Sequence, residues 1–344
     1  MKKTGIFIFK IAIAVLIIFF LLHRHYDTFA RNIRNFNFLW ILPALILLYL
    51  EMIFCAVRWY CLVKSVNISL SWREALSLTM RGYFCSLVIP GGAIGGDVAK
   101  IGMIAHGMNK GERFEPSLSI LIDRISGMIA LFGTAVVLML LDVRTLLNID
   151  LTGAKIPQTF NLYLFWLVML FCLAGIAAAS VLFCYRFVEK VPFFKFVINK
   201  FDKFSDNLIS RMKQAIDLYL GQWKTLLTVT AGSVFLVHLI HLPILCCICY
   251  GLNMPIPSYL TLATAIILGN IAGLIPLTPG GIGLRDLTIF AILQAGGFEN
   301  VTLIPLLMSL VLLIGNMSAG IFFFDRGINR SAHKNEIIKD VCNI

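Results

Sequence analysis

Long apolar runs separated by short polar segments dominate the 344-residue chain. A helix of about 20 apolar residues crosses the hydrocarbon core of a bilayer, so each run of that length predicts a transmembrane span. The pattern therefore predicts an all-α, polytopic helical membrane protein. The predicted spans are about Gly5–Leu22, Phe38–Val57, Leu118–Leu141, Leu162–Tyr185, Leu226–Tyr250 and Val301–Phe324.

A Pro-Gly-Gly phrase interrupts the apolar sequence twice, at Pro90–Asp97 and at Pro279–Asp286. Proline removes a backbone donor and glycine lowers the cost of non-helical dihedral angles, so each phrase should break a helix. The neighbouring apolar runs, Ala75–Ile89 and Leu284–Ala295, are short for a bilayer. Irregular backbone at membrane depth survives only where it is buried in protein or lines a wet cavity. The two phrases therefore predict a polar site inside the membrane domain.

Two arrangements of these segments fit the pattern. In the first, residues from Ala75 to about Ala105 re-enter from the cytoplasm, and those from Tyr259 to about Ala295 re-enter from outside. Halves at about 38–141 and 226–324 then form an inverted repeat, as in many secondary transporters. In the second, both phrases are ordinary short turns between eight complete spans. We favour the first because the flanking runs are short.

Charge is scarce and unevenly distributed along the chain. Hydrophobic residues make up 59% of the sequence and charged residues 14%, with a net charge of +11. The basic residues gather in loops and in the tail, which the positive-inside rule assigns to the cytoplasm. We therefore expect cytoplasmic N- and C-termini in the cell membrane, and no nucleic-acid partner. Residues 1–330 form one predicted transmembrane domain, with an amphipathic cytoplasmic helix at about 195–220, and 331–344 form a short basic tail.

Ionisable residues inside a bilayer are costly, so each needs a partner or a role. Adjacent helical residues point about 100° apart, so Asp123 and Arg124 should each find a partner elsewhere, for example Asp97 for Arg124. Arg285 and Asp286 are adjacent in the same way and invite the same interpretation. The predicted substrate-binding residues are Gly91, Gly92, Gly95, Gly96, Asp97, Asp123, Arg124, Gly280, Gly281, Gly283, Arg285 and Asp286.

An arginine near a glycine-exposed helix N-terminus suits an anion. Its guanidinium binds phosphate oxygens in a fork, and the glycines let backbone N–H groups approach the same anion. The alternative is structural, in which these charges pair only to fix the broken helices and nothing binds.

A second group of ionisable residues is predicted to support the site. Glu51 lies within the second span, where an unpaired carboxylate is expensive. Arg58 and Trp59, near the end of that span, are predicted to anchor it at the membrane interface. Lys100 is assigned to the cytoplasmic side with the other basic residues that follow this span. The supporting residues are Glu51, Arg58, Arg81, His238 and His241.

Catalytic and metal-binding signatures are absent from the sequence. It has no Walker A motif, GxSxG or HExxH, so we expect no catalytic residue, no cofactor and no enzyme activity. His238 and His241 stand three residues apart without a further ligand at metal spacing, so a satisfied or protonation-sensitive pair is preferred to a metal site.

Four motifs in order resemble the lysylphosphatidylglycerol synthase transmembrane family, also called flippase-like membrane proteins. They are Arg58-Trp59, Leu87–Asp97, Asp123–Gly127 and Pro276–Gly283, and the resemblance covers roughly residues 5 to 325. It implies a multispanning domain that moves a lipid between leaflets. The soluble aminoacyltransferase half of two-domain members does not follow Phe324, and Asp286 stands where many relatives carry Glu.

The resemblance implies a membrane lipid translocase that handles an anionic or polyprenyl-linked lipid. Its partner would be a phospholipid or a polyprenyl-linked lipid, with a separate lipid synthase or glycosyltransferase as a further partner. The alternative is a membrane-embedded lipid-modifying enzyme, or a subunit of a lipid or glycolipid synthase. Neither the lipid nor the oligomeric state follows from the sequence.

Overall fold

The computed structural model describes residues 34–89, 92–106, 114–149, 157–183, 208–275, 281, 283–299 and 301–324. Across these ranges the chain is helical and contains no β-strand, which confirms the predicted all-α class. The predicted span at Gly5–Leu22, the first half of the 195–220 segment and the 331–344 tail lie outside the described residues. Gly91 and Gly280 of the predicted site also lie outside them.

Five helices in the described part of the chain are long and apolar enough to cross a membrane. Five of the six predicted spans are therefore confirmed as helices of spanning length. These helices are Phe38–Ser65, Phe114–Leu141, Thr159–Val181, Trp223–Gly251 and Leu303–Phe324.

The helices follow one another with few long connections among the described residues. A 3-10 turn, Phe38–Trp40, precedes the helix that starts at Ile41, and another, Ala319–Phe324, follows the helix that ends at Ser318. A π-helical segment, Val234–Leu239, joins the helix that ends at Ser233 to the one that starts at His241, so the fourth described span contains a widened turn. In chain order the helices are α1 (Ile41–Ser65), α2 (Trp72–Val88), α3 (Ala93–His106), α4 (Phe114–Leu141), α5 (Val143–Leu147), α6 (Thr159–Phe183), α7 (Leu208–Gly221), α8 (Trp223–Ser233), α9 (His241–Gly251), α10 (Tyr259–Gly273), α11 (Leu284–Ala295) and α12 (Leu303–Ser318).

The four helices beside the Pro-Gly-Gly phrases pair into two hairpins, α2 with α3 and α10 with α11. They contain 17, 14, 15 and 12 residues. At 1.5 Å per residue each is about 18–25 Å long, which is less than the hydrocarbon core of about 30 Å. Ser71 starts the first hairpin with a capping box to Glu74, and Ser258 caps the start of the second.

Glycine allows the two sides of each hairpin to touch. A Cβ added to Gly96 would lie 2.5 Å from the carbonyl oxygen of Gly82 on the facing helix. A Cβ on Gly281 would lie 2.7 Å from Cα of Gly273, and Gly281 has a φ of +73°, which L side chains rarely adopt. Each Pro-Gly-Gly phrase therefore supplies a glycine where its hairpin closes.

The first and fourth described spans, α1 and α8–α9, run antiparallel. Arg58 contacts Ser233, Glu51 contacts His241, and the N–H of Asn37 donates to the carbonyl of Gly251. The C-terminal ends of these spans therefore lie at opposite ends of the bundle. Because each hairpin starts a few residues after one of those ends, the two hairpins enter from opposite ends, as expected of an inverted repeat. Their insertion into a bilayer stays a prediction.

Packing between the halves makes the described helices one unit. Helix α2 packs against α12, α10 packs against α4, and α1 packs against α9. The largest apolar core joins Leu48 and Phe132 of the first half to Ile244, Ile266 and Met308 of the second. Each hairpin is thus held by the last span of the other half as well as by its own neighbours.

Helix α7 is the described part of the amphipathic segment. Ile216 and Tyr219 are buried in an apolar cluster with Leu62, Leu118 and Ile122. Part of the apolar face of this predicted amphipathic helix therefore packs on protein. This contact ties the segment to the ends of α1 and α4.

Candidate functional site

A cavity of about 480 Å³ lies between the two hairpins, and residues of both line it. Gly92 and Gly96 of the first Pro-Gly-Gly phrase and Gly281 of the second are in its wall. The broken helices thus border a cavity that contains several charged side chains, although most of its wall is apolar. Its titratable or charged lining residues are Glu51, Cys55, Arg58, Tyr83, Asp97, Lys100, Asp123, Arg124, His238, His241 and Arg285.

Arg58 and Asp123 form a buried two-point ion pair. Arg58 Nε donates to Asp123 Oδ1 at 2.7 Å and Nη2 donates to Oδ2 at 2.9 Å. The remaining nitrogen, Nη1, donates to Ser233 Oγ at 3.2 Å. The predicted interface anchor is therefore wrong, since α1 continues to Ser65 and holds Arg58 inside the bundle. Asp123 has its partner elsewhere in the chain, as its position beside Arg124 predicted.

Arg124 and Asp97 form the pair that the sequence predicted, with Arg124 Nη2 donating to Asp97 Oδ1 at 2.5 Å. This pair is more open than the Arg58–Asp123 pair, because the Arg124 side chain is 41% exposed and that of Asp97 22%. Arg124 Nε is itself buried and has no hydrogen-bond partner within the described residues. The exposed part of the Arg124 side chain lines the cavity, where a ligand can reach it.

Lys100 lies on the cavity wall one turn after Asp97 on α3. Its Nζ donates to Thr79 Oγ1 at 3.1 Å and stands 3.4 Å from the centre of the Trp59 ring. Trp59 in turn donates its Nε1–H to Ser119 Oγ at 3.0 Å. The assignment of Trp59 to the membrane interface is wrong, because its side chain is buried, and the Lys100 side chain is buried beside it. A cation–π contact helps to hold the ammonium there.

Arg285 and Asp286 depart from the expectation for adjacent residues. Arg285 Nε lies 3.6 Å from Asp286 Oδ1, and Ser309 bridges the two. Ser309 Oγ accepts from Arg285 Nη2 at 2.6 Å and donates to Asp286 Oδ1 at 2.6 Å. Asp286 Oδ2 also accepts from the backbone N–H of Gly283 at 2.9 Å, so its side chain folds back over the helix start. This position brings the Asp286 carboxylate within reach of the long Arg285 side chain.

The two motif aspartates have matching positions and different partners. Each bonds to the span that follows its own hairpin, Asp97 to Arg124 on α4 and Asp286 to Ser309 on α12. In the first half the cation lies on the span, and in the second half Arg285 lies on the hairpin itself. Arg124 of the first half is also the more exposed of the two arginines, since the Arg285 side chain is buried.

His238 and His241 have separate partners, although they lie three residues apart. His238 Nε2 donates to the carbonyl of Gly127 at 2.9 Å, and His241 Nδ1 donates to that of Val237 at 3.0 Å. His241 Nε2 lies 3.5 Å from Glu51 Oε2. No group of three or more His, Cys, Asp or Glu residues suited to a metal ion occurs in the described ranges.

Asp286 does not line the cavity, nor do three other predicted residues that the structure describes. Arg81 Nε donates to the carbonyl of Phe322 at 2.9 Å, and its guanidinium stands over the Phe323 ring. Gly95 packs on Ile89 within the first hairpin, and Gly283 starts α11. Sequence reasoning missed Lys100, for which the one available signal was its position three residues after Asp97 on a predicted helix.

Comparisons with known proteins agree with this architecture. Residues 7–315 match the family described as the lysylphosphatidylglycerol synthase TM region. The chain is also similar to the UPF0104 membrane protein PH1989 of Pyrococcus horikoshii, with 22% identity over 276 residues, which is 78% of this chain and 80% of that protein. The family match includes both hairpins and ends within the fifth described span.

Proposed function

We propose that this chain, which belongs to the lysylphosphatidylglycerol synthase transmembrane family, transfers the headgroup of an anionic or polyprenyl-linked lipid between membrane leaflets. The observation that carries the proposal is the partly exposed Arg124 side chain, which lines a cavity bordered by both broken helices. A phosphate in the lipid headgroup would provide oxygen acceptors for the N–H donors of the Arg124 guanidinium.

Charge in the cavity favours an anion at the Arg124 end. Arg58 has all of its donor nitrogens engaged by Asp123 and Ser233, so it serves the structure. The Arg124 side chain is partly exposed, and the Lys100 ammonium on the neighbouring helix contacts the neutral Thr79 and Trp59. Because Asp123 is compensated by Arg58, these two cations exceed the remaining carboxylate, Asp97.

The size and walls of the cavity suit a headgroup whose acyl chains stay in lipid. A volume of about 480 Å³ is within the usual range of about 300–1,000 Å³ for small-molecule sites. Ile94 and Phe171 line the cavity and are also 62% and 53% exposed on the molecule's surface. In a membrane these apolar side chains would contact lipid chains while the headgroup lies inside.

Orientation and location belong to the same proposal. With the basic loops in the cytoplasm, the first hairpin enters from the cytoplasmic face of the cell membrane and the second from the opposite face. A headgroup at the meeting point of the two breaks would then be near the middle of the bilayer. A separate synthase or glycosyltransferase would supply or consume the lipid.

Leaflet exchange in proteoliposomes tests the proposal. The purified protein is reconstituted with fluorescent phosphatidylglycerol or a fluorescent polyprenyl phosphate, and a membrane-impermeant quencher reports the labelled lipid in the outer leaflet. We expect wild-type exchange of at least one probe, strongly reduced in Arg124→Ala. Arg144→Ala removes an exposed arginine of α5, away from the cavity, and should exchange like wild type.

The outcomes separate lipid movement from its rival. Equal exchange in wild type and Arg124→Ala would contradict the role of the cavity. Mass spectrometry of the same vesicles shows whether a lipid changes its mass. A mass change without leaflet exchange would favour the alternative, a lipid-modifying enzyme or synthase subunit.

A further inference from the structure

Glu51 and His241 meet across the two halves in the wall of the cavity. We propose that they form a proton-binding site, and that this proton and an anionic headgroup in the cavity strengthen each other's binding. The headgroup part rests on the proposed function, whereas the proton site does not require lipid movement.

One oxygen of the Glu51 carboxylate, Oε2, has no hydrogen-bond donor among the described residues. Glu51 Oε2 lies 3.5 Å from His241 Nε2 and has no hydrogen-bond partner within the described residues. Both side chains are more than nine-tenths buried, and both line the cavity. A buried carboxylate oxygen without a donor is costly, so the site is incomplete as an ionised carboxylate.

The hydrogen bond at the other ring nitrogen fixes which atom faces Glu51. The carbonyl of Val237 can only accept, so His241 Nδ1 at 3.0 Å carries the hydrogen. In neutral His241 the lone pair is then on Nε2, which lies 3.5 Å from Glu51 Oε2. One proton between Oε2 and Nε2 supplies the missing bond, and without it two acceptors face each other. The pair is therefore complete when a proton is bound.

The π-helical segment places this histidine on the cavity side. Residues Val234–Leu239 form the widened turn that precedes His241, and such turns often occur at functional sites. With this turn in place, His238 bonds to the carbonyl of Gly127 and His241 lies next to Glu51. The two histidines thus have different chemistry despite their spacing.

Neighbouring charges are already compensated. Arg58 is paired with Asp123 and Arg285 with Asp286, while the residues that α10 and α12 add to the cavity wall are uncharged. The proton on Glu51 and His241 therefore changes the net charge of this part of the cavity. The titratable or charged groups that face the pair from the surrounding elements are Cys55 and Arg58 on α1, Tyr83 on α2, Asp123 on α4, His238 in the π-helical segment and Arg285 on α11.

The direction of coupling follows from charge. Without its proton the pair adds one negative charge to the wall and repels an anionic headgroup, whereas the protonated pair is neutral. Lower pH should therefore strengthen headgroup binding, and a bound headgroup should strengthen proton binding equally. For one proton the affinity changes by at most about tenfold per pH unit.

Infrared spectroscopy tests the proton site directly. In nanodiscs, the wild-type protein should show a carboxylic-acid C=O band that titrates with pH. Glu51→Gln should abolish the band and His241→Gln should shift it, whereas Glu299→Gln, at an exposed carboxylate, should leave it unchanged. Thermal unfolding checks that Glu51→Gln folds, and Glu51→Asp, which keeps a carboxylate, should retain a titrating band. A wild-type spectrum unaltered by Glu51→Gln would overturn the proton site.

Equilibrium binding tests the coupling. The probe is short-chain dihexanoyl phosphatidylglycerol, and its Kd is measured against pH for wild type, Glu51→Gln and Glu299→Gln. We expect Kd to fall as pH is lowered in wild type and in Glu299→Gln, and to stay flat in Glu51→Gln. The same pH dependence in Glu51→Gln, or no binding by wild type, would overturn the coupling. Failure of the proposed function is distinct, because it appears as absent leaflet exchange while the infrared band still titrates.

Discussion

Arg58 and Asp123 join the first span to the span after the first hairpin through two parallel hydrogen bonds of 2.7 and 2.9 Å. Both side chains are largely buried, so their interaction is only weakly screened by solvent. Residues 65 positions apart in the chain are thereby fixed at one place in the wall of the cavity.

Removing one partner of this pair should be far more harmful than removing both. Asp123→Ala leaves Arg58 charged and uncompensated, which should lower the free energy of unfolding by about 3–5 kcal/mol. The double variant Arg58→Met/Asp123→Leu should be more stable than Asp123→Ala, because no buried charge remains. Denaturation of the purified variants in mixed micelles measures both. A double variant less stable than the single one would contradict this explanation.

The contact between Gly96 and Gly82 in the first hairpin should leave no room for a methyl group on Gly96. Gly96→Ala would place a Cβ 2.5 Å from the carbonyl oxygen of Gly82, so we expect a loss of about 1–3 kcal/mol of stability. Gly102→Ala is the matched control, since it lies on the same helix and a Cβ there meets nothing within 4 Å. That change should be neutral or stabilising by up to about 1 kcal/mol. Equal melting temperatures for the two variants would contradict the contact.

In the second hairpin, contact and backbone strain can be separated. Gly281 and Gly297 have φ values of +73° and +77°, so alanine strains both by about 1–2 kcal/mol. Only at Gly281 would the added Cβ also meet another residue, Gly273. We therefore expect Gly281→Ala to destabilise the protein more than Gly297→Ala, by thermal unfolding in detergent. The reverse order would mean that the hairpin does not close at this glycine.

The Ser309 hydroxyl should matter more than other buried hydroxyls. Ser309→Ala leaves Arg285 Nη2 and Asp286 Oδ1 without their shared partner, which should cost about 1–3 kcal/mol of stability. Ser77 is the control, because its hydroxyl is also buried but has no hydrogen-bond partner in the described ranges. Ser77→Ala should therefore be neutral or slightly stabilising. Similar losses in both variants would argue against the bridge.

Much of the fold follows from hydrophobic pattern alone. Runs of spanning length located five spans, and the two Pro-Gly-Gly phrases located both hairpins. The Arg124–Asp97 pair was predictable because both charges lie within the membrane domain, Asp97 at the first break and Arg124 in the span that follows, where each needs a nearby partner.

The wall of the cavity was harder to predict. Hydropathy and the positive-inside rule place a basic residue near the end of an apolar run at the membrane surface, which misassigned Arg58 and gave no reason to put Lys100 in the cavity wall. Helix α1 in fact continues beyond Arg58 to Ser65, and α3 carries Lys100 into the bundle. The partners of Glu51 and Arg285 depend on tertiary packing, since His241 and Ser309 are distant in the sequence or on another helix.

The packing of each hairpin against the last span of the other half also constrains biogenesis. Helix α2 is made early, yet one of its neighbours, α12, emerges from the ribosome among the last described residues. Until then the first hairpin lacks that neighbour and is held by its packing on α1 and α4 and by the Asp97–Arg124 pair. The fourth span must also arrive antiparallel to α1 before Glu51 meets His241. A topological error in the second half would therefore leave the first half inserted but its cavity open on one side.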